Sequence, residues 1–196
     1  MELRKILAEE IARGIIVTGV EGAYDSVAKS TSYDYPSIGV SQWEGSRADN
    51  LLTWIDGGDK FIGRSYVDIV EKGELEELKA LLRSEQGKVA QLEILANDCL
   101  DYVDALQQIP EFDDTRCLIY AGIWCPTSTW VVTQFLKNRA YRYDLRNLEV
   151  MRDIFKDEYW MAAAIDRMYY FGYSNRAENT YEYVNNLDLS TLWARL

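Results

Sequence analysis

The segments Val20-Glu21-Gly22-Ala23-Tyr24 and, shortly after, Ser37-Ile38-Gly39-Val40-Ser41-Gln42-Trp43 have the residue types and spacing best suited to chemistry. One carboxylate stands just ahead of an extended element rich in Gly, Ser, Gln and Trp. That arrangement suits cleavage of sugar linkages, in which one carboxylic acid protonates the leaving oxygen and a second carboxylate activates water or forms a covalent link. Glu21 falls where an amphipathic helix over about 3–20 should end, because Gly19 and Gly22 flank it and Gly22 accepts the positive φ of a cap. At a helix C-terminus a carboxylate meets the negative pole of the dipole. Beneath an apolar wall its pKa would rise, the direction a general acid needs.

Absences narrow the chemistry further. The chain contains no histidine, which excludes Ser-His-Asp and Cys-His mechanisms and any His-ligated zinc. Cys99, Cys117 and Cys125 lie at no zinc-ligand spacing and are expected to pack as small apolar groups in a reduced protein. Neither a metal nor a cofactor is called for. A net charge of −11 argues against nucleic-acid and membrane-surface partners, which require basic faces. Arg139, Arg142 and Arg146 gather locally and read as a solvated helix face.

With 196 residues, 48% of them apolar, the chain can bury a sizeable core unaided, so a single domain over 1–196 is expected. The N-terminal Met-Glu-Leu-Arg-Lys-Ile-Leu lacks a long apolar stretch. Neither a signal peptide nor a membrane span is expected, and synthesis in the cytoplasm follows.

The elements that must position these residues read as mainly α with a small β-hairpin. The first helix is either continuous or broken near Gly14. Residues 25–43, rich in Ser, Thr, Tyr, Gly and Val, suit a short twisted hairpin. Ser46 is the expected cap of a helix to about 55, and 56–59 a turn. Further helices are predicted over 75–83, 88–106, 115–122, 128–140, 145–155, 158–171 and 177–187. In 88–106 the apolar residues Val89, Leu92, Leu95, Ala96, Cys99, Leu100, Val103 and Leu106 keep helical spacing and suggest the central buried helix. Tyr120 and Trp124 form an i, i+4 pair read as core.

Three separated stretches carry a resemblance. Val20-Glu21-Gly22-Ala23-Tyr24, Ser37-Ile38-Gly39-Val40-Ser41-Gln42-Trp43 and Gly45-Ser46-Arg47-Ala48-Asp49-Asn50-Leu51-Leu52 resemble elements of the lysozyme-like group: goose-type lysozymes, lytic transglycosylases and muramidase domains of phage endolysins. A weaker echo of the group's closing helix lies in Tyr173, Arg176, Tyr181, Tyr183 and Val184. The resemblance implies a lysozyme-like α+β fold and an N-acetylmuramidase acting on the glycan strands of bacterial peptidoglycan after release to the wall. Carried over by position, Glu21 is the general acid. Gln42 hydrogen-bonds substrate, Ser37 and Gly39 let the hairpin backbone approach the sugar, and Tyr24 and Trp43 offer stacking faces. Turn chemistry for Ser37 and Gly39, and core packing for Trp43, stand as alternatives. Asp34 on the hairpin is the first choice for the second catalytic carboxylate, with Asp25, Glu44, Asp49 and Asp59 left open. A lytic transglycosylase giving 1,6-anhydro products, a hydrolase of another glycan such as chitin, and a non-catalytic glycan-binding or phage structural protein are the competing readings. A separate wall-targeting domain or subunit remains open.

Overall fold

The computed structural model describes residues 2–19 and 22–196. It is mainly helical, 63% helix against 4% strand, with one small two-stranded antiparallel sheet, as the sequence predicts. Among the described residues no helix is long and apolar enough to cross a membrane. The chain forms two compact units, one comprising the N-terminal helix with Ala96–Leu196, the other the intervening stretch up to Leu95.

The first unit contains α1 (Glu2–Thr18) and, beyond the long helix α5 (Glu85–Leu106), α6 (Thr115–Trp124), α7 (Thr129–Lys137), α8 (Leu148–Asp157), α9 (Tyr159–Ala162), α10 (Tyr170–Asn185) and α11 (Leu189–Trp193). At its centre is α6, buried on every face from Cys117 to Trp124. A helix apolar all round belongs inside. The Asp114 side chain starts it by accepting from the Cys117 N–H at 2.9 Å. Helix α1 runs unbroken through Gly14, contrary to the alternative of a break there. The glycine serves close packing: a Cβ on Gly14 would come within 2.4 Å of Ile123 Cδ1, and one on Gly122 within 2.4 Å of Ile11 Cδ1. Each helix thus offers a glycine notch to an isoleucine of the other. Gly122→Ala is expected to cost about 1–3 kcal/mol by overpacking, measured as a shift of the denaturant midpoint. Tyr183 on α10 donates to the Glu10 carboxylate of α1 at 2.5 Å, so the one buried acid of α1 is partnered.

Helix ends depart from expectation where local caps decide. Helix α8 starts at Leu148 because the Asn147 carboxamide accepts from the Glu149 and Val150 N–H groups. The helix predicted over 158–171 is interrupted. Ala164 sits at φ 54°, and the Ile165 N–H returns to the Trp160 carbonyl at 2.9 Å, closing α9 as a left-handed cap. After a 3-10 turn at Arg167–Tyr169, α10 begins at Tyr170.

The second unit carries β1 (Val27–Lys29), β2 (Pro36–Ile38), α2 (Ser46–Leu52), α3 (Tyr66–Glu71), α4 (Leu75–Arg83) and the first part of α5 (Glu85–Leu106). The strands pair Val27 with Ile38, Ala28 with Ser37 and Lys29 with Pro36. Ser46 does not cap α2. Gly45 holds that position at φ 53°, and Asp49 instead accepts the Gly63 N–H at 2.9 Å. From Leu95 onward the buried stripe of α5 follows the predicted one, but its first turns are rotated. Val89 is 55% exposed, while Ala90, Gln91, Ile94 and Leu95 face inward, followed by Cys99, Val103 and Leu106. Helix α3, unread in the sequence, and the 3-10 turn at Gly58–Phe61, which continues the turn predicted over 56–59, are tied to α4 by charge. Arg64 meets Asp68 and Glu74 at 2.6 Å each, and Lys60 meets Glu74 at 3.0 Å and Glu77 at 2.6 Å.

Candidate active site

Glu21, the expected general acid, lies outside the described residues. Gly22, which follows it in the chain, is closely surrounded: a Cβ there would stand 3.0 Å from the Gly39 carbonyl, 3.2 Å from Ser26 Oγ and 3.3 Å from Gln42 Nε2. The structure therefore brings Gly22 to Gly39 and Gln42, the glycine and glutamine of the S-x-G-x-x-Q segment.

That segment forms a tight, self-satisfied turn. Ile38 and Trp43 exchange both backbone hydrogen bonds at 2.9 Å, and Gly39 at φ 73° and Gln42 at φ 50° take the left-handed conformations that the reversal needs. Gln42 Nε2 donates to the Gly39 carbonyl at 2.9 Å, and the Ser37 hydroxyl donates toward the Gln42 carbonyl and Oε1, each at 3.2 Å. Gly39 donates its N–H to the Ser26 carbonyl at 2.8 Å. Ser37, at 6% exposure, thus supports the turn from within. Trp43 is 2% exposed, and its ring packs beneath Gly39. The stacking face expected of Trp43 is therefore corrected to core packing, because a ring covered by backbone has no free face.

Beside the turn lies an open concavity of about 400 Å³ lined by Asp25, Ser26, Val27, Ala28, Gln42 and Lys79. Asp25 pairs with Arg83 at 3.6 Å. Tyr24, partly exposed, precedes it, and its carbonyl accepts from Gln91. Asp34 is not among the lining residues. It sits exposed in the connection between the strands, paired with Lys29 at 3.5 Å, while its carbonyl accepts the Tyr66 N–H. Of the other carboxylates, Glu44 accepts from Ser30 at 2.8 Å and Asp49 is held by Gly63. Of these carboxylates, Asp25 lines the same concavity as Gln42.

Gln91 and Lys79 were not legible as site residues. Gln91 is wholly buried, yet a glutamine within a helix reads as solvent-facing. Lys79 belongs to an ordinary amphipathic helix and also meets Glu76 at 2.8 Å.

Within the first unit, a groove of about 430 Å³ opens at the C-terminal end of α1, lined by Thr18, Gly19, Met168, Tyr169, Tyr173 and Arg176 among others. Arg176 is fixed there by donating to Thr127 Oγ1 at 2.9 Å and the Ile123 carbonyl at 3.1 Å, with its guanidinium 4.3 Å from the Trp124 ring. Two residues of the predicted closing-helix echo, Tyr173 and Arg176, thus share one groove. Arg139, Arg142 and Arg146 lie not on a helix face but in the turns between α7 and α8: Arg139 pairs with Glu158 at 2.8 Å, Arg146 with Asp144 at 3.2 Å, and the exposed Arg142 sits 5.6 Å from the Tyr143 ring. Burial pushes the thiols of Cys99 and Cys117 up and that of Cys125 up to about 12, so all three are inert packing groups.

Acid should loosen the second unit. Hydrogen bonding from Lys72 and then Arg64 lowers the Asp68 carboxyl below its ordinary range, and Lys60 and then Arg64 do the same to Glu74. A depressed carboxylate contributes stability that is present above its unfolded value and is lost as pH falls through the folded one. The melting temperature of the wild type is expected to drop below about pH 4.5. In Arg64→Ala that dependence should be weaker and the neutral-pH value lower, as thermal scans between about pH 7 and 3 would register.

No protein-family model, no curated protein and no solved structure matches the chain.

Proposed function

We propose that the chain cleaves the glycan strands of bacterial peptidoglycan as an N-acetylmuramidase, with Glu21 as the general acid. The observation that carries this reading is the packing of Gly22 against Gly39 and Gln42. Two segments singled out by chemistry and by resemblance thus meet at one turn beside an open concavity. The absence of histidine leaves carboxylates as the available acid and base.

In this reading the Glu21 carboxyl gives its proton to the glycosidic oxygen as the bond from that oxygen to the anomeric carbon breaks. Water attacks the anomeric carbon and yields its proton to a second carboxylate. Asp25 is the better candidate for that base, since it lines the Gln42 concavity and Asp34 does not. Gln42 and Tyr24 supply contacts to the sugar. No metal or cofactor takes part, and the chain acts on the wall after release.

The lytic transglycosylase reading stays alongside, supported by the placement of Asp34 in an exposed ion pair with Lys29. There the sugar's own 6-hydroxyl attacks the anomeric carbon, and no second carboxylate is required. Asp25→Asn is expected to slow a hydrolase by about 100-fold or more and Asp34→Asn to change it little. For a transglycosylase neither change matters. The test is clearing of a suspension of purified Gram-positive peptidoglycan. Clearing in step with new reducing ends supports the hydrolase, and clearing without them the transglycosylase. Wall binding with no clearing supports the non-catalytic reading.

A further inference from the structure

We propose that Gln91 is a positioning residue of this site, a buried carboxamide that sets where the hairpin turn presents Gln42; the inference rests on the glycan-cleaving function proposed above. Gln91 has no exposed surface. Its Oε1 accepts the Val40 N–H at 3.0 Å, while its Nε2 donates to the Leu82 carbonyl at 2.8 Å and the Tyr24 carbonyl at 3.2 Å. One amide thereby joins three backbone segments: the hairpin turn, the stretch following Gly22, and the end of α4. Both of its N–H donors are used, each on a different carbonyl.

The hydrogen bonds lead from Gln91 to the candidate substrate contact in two steps. Gln91 holds the Gly39–Val40 peptide, and the Gly39 carbonyl accepts both the backbone N–H and the side-chain amide of Gln42, at 3.2 and 2.9 Å. Any side chain at Gly39 would displace this amide, since a Cβ would lie 2.4 Å from Gln91 Oε1, and the φ of 73° itself favours glycine. The same amide fixes the Tyr24 carbonyl, next to Asp25 on the concavity wall. Displacing it would therefore move Tyr24, Asp25 and Gln42 together. Catalytic geometry tolerates little of this, and a shift of about 1 Å can cost 100-fold in rate.

No other side chain reproduces the pattern. A carboxylate in its place would face two carbonyls with no proton to donate, and methionine would take their partner from three backbone groups, those of Val40 and Leu82 in buried bonds. Gln91→Glu has a signature that a packing role lacks. Once protonated, as burial favours on acidification, the introduced carboxyl regains one donor. The activity of this variant relative to wild type should therefore recover between about pH 7 and pH 5.

The experiment measures kcat and KM on solubilised peptidoglycan glycan strands for wild type, Gln91→Glu and Gln91→Met, well below each protein's melting temperature, with amide hydrogen exchange at Val40. The expected result is a loss of about 10- to 100-fold in kcat/KM for both variants while they remain folded. Faster exchange at Val40 should accompany it, with the recovery at low pH confined to Gln91→Glu. Full activity in either folded variant, or a loss that only tracks the unfolded fraction, would overturn the inference while leaving the function intact. A wild type that cleaves no glycan would instead remove the function, and the inference with it.

Discussion

Trp124→Ala lowers the stability of the first unit by about 3–5 kcal/mol, the range for emptying a large aromatic site. The ring has no exposed surface and stands at the centre of a cluster, with centroid distances of 4.8 Å to Phe155, 5.0 Å to Tyr159 and 6.0 Å to Tyr173. Those partners come from α8, α9 and α10, so the deletion loosens three helices at once. It also removes the face on which the Arg176 guanidinium rests at 4.3 Å. Trp124→Phe, which keeps a ring, should lose less. Denaturant unfolding followed by far-UV circular dichroism checks both, and a loss below about 1 kcal/mol for alanine would mean that the cluster does not close around this ring.

Under the proposed function, Glu21→Gln is expected to lower turnover on glycan by about 100- to 10,000-fold, the usual contribution of a positioned general acid. Glutamine keeps the size and hydrogen-bonding reach of the side chain but has no proton to transfer. Melting temperature and affinity for glycan strands should therefore stay close to wild type. A parallel loss of affinity would point to a binding role, and unchanged turnover would exclude Glu21 from the chemistry. The paired substitution Gly22→Ala adds a Cβ 3.0 Å from the Gly39 carbonyl. It should disturb the turn while leaving the Glu21 carboxyl chemically unchanged.

Much of the helical plan was legible because burial and spacing agree. Helix α4 (Leu75–Arg83) has the predicted bounds, with Leu78 and Leu82 buried one turn apart. The hairpin was legible from its turn residues and from Pro36, which opens β2. Illegible features depend on caps and backbone partners that residue type alone does not announce. Ala163-Ala164 carries no helix breaker, yet Ala164 takes a left-handed φ closed by a hydrogen bond to Trp160. The stripe of α5 is turned inward at Gln91 by three backbone partners, overriding the apolar claims of Val89. Helix α3 is short, and its capping Ser65 and the Arg64 ion pairs stabilise it where apolar periodicity is weak.

In the candidate site, residue types were legible and roles less so. Ser37, Gly39 and Gln42 do converge, but on one another and on Gly22. Trp43, whose two readings were evenly matched in sequence, packs in the core because the turn folds over its ring. Asp34 and Asp25 look alike as exposed carboxylates of one segment, and only the path of the hairpin separates them.

The most direct measurement is mass spectrometry of the soluble fragments released from purified Gram-positive peptidoglycan by wild-type protein and by Glu21→Gln. The expected result is fragments ending in reducing N-acetylmuramic acid, present with wild type and absent with the variant. The absence of any Glu21-dependent release would contradict the account.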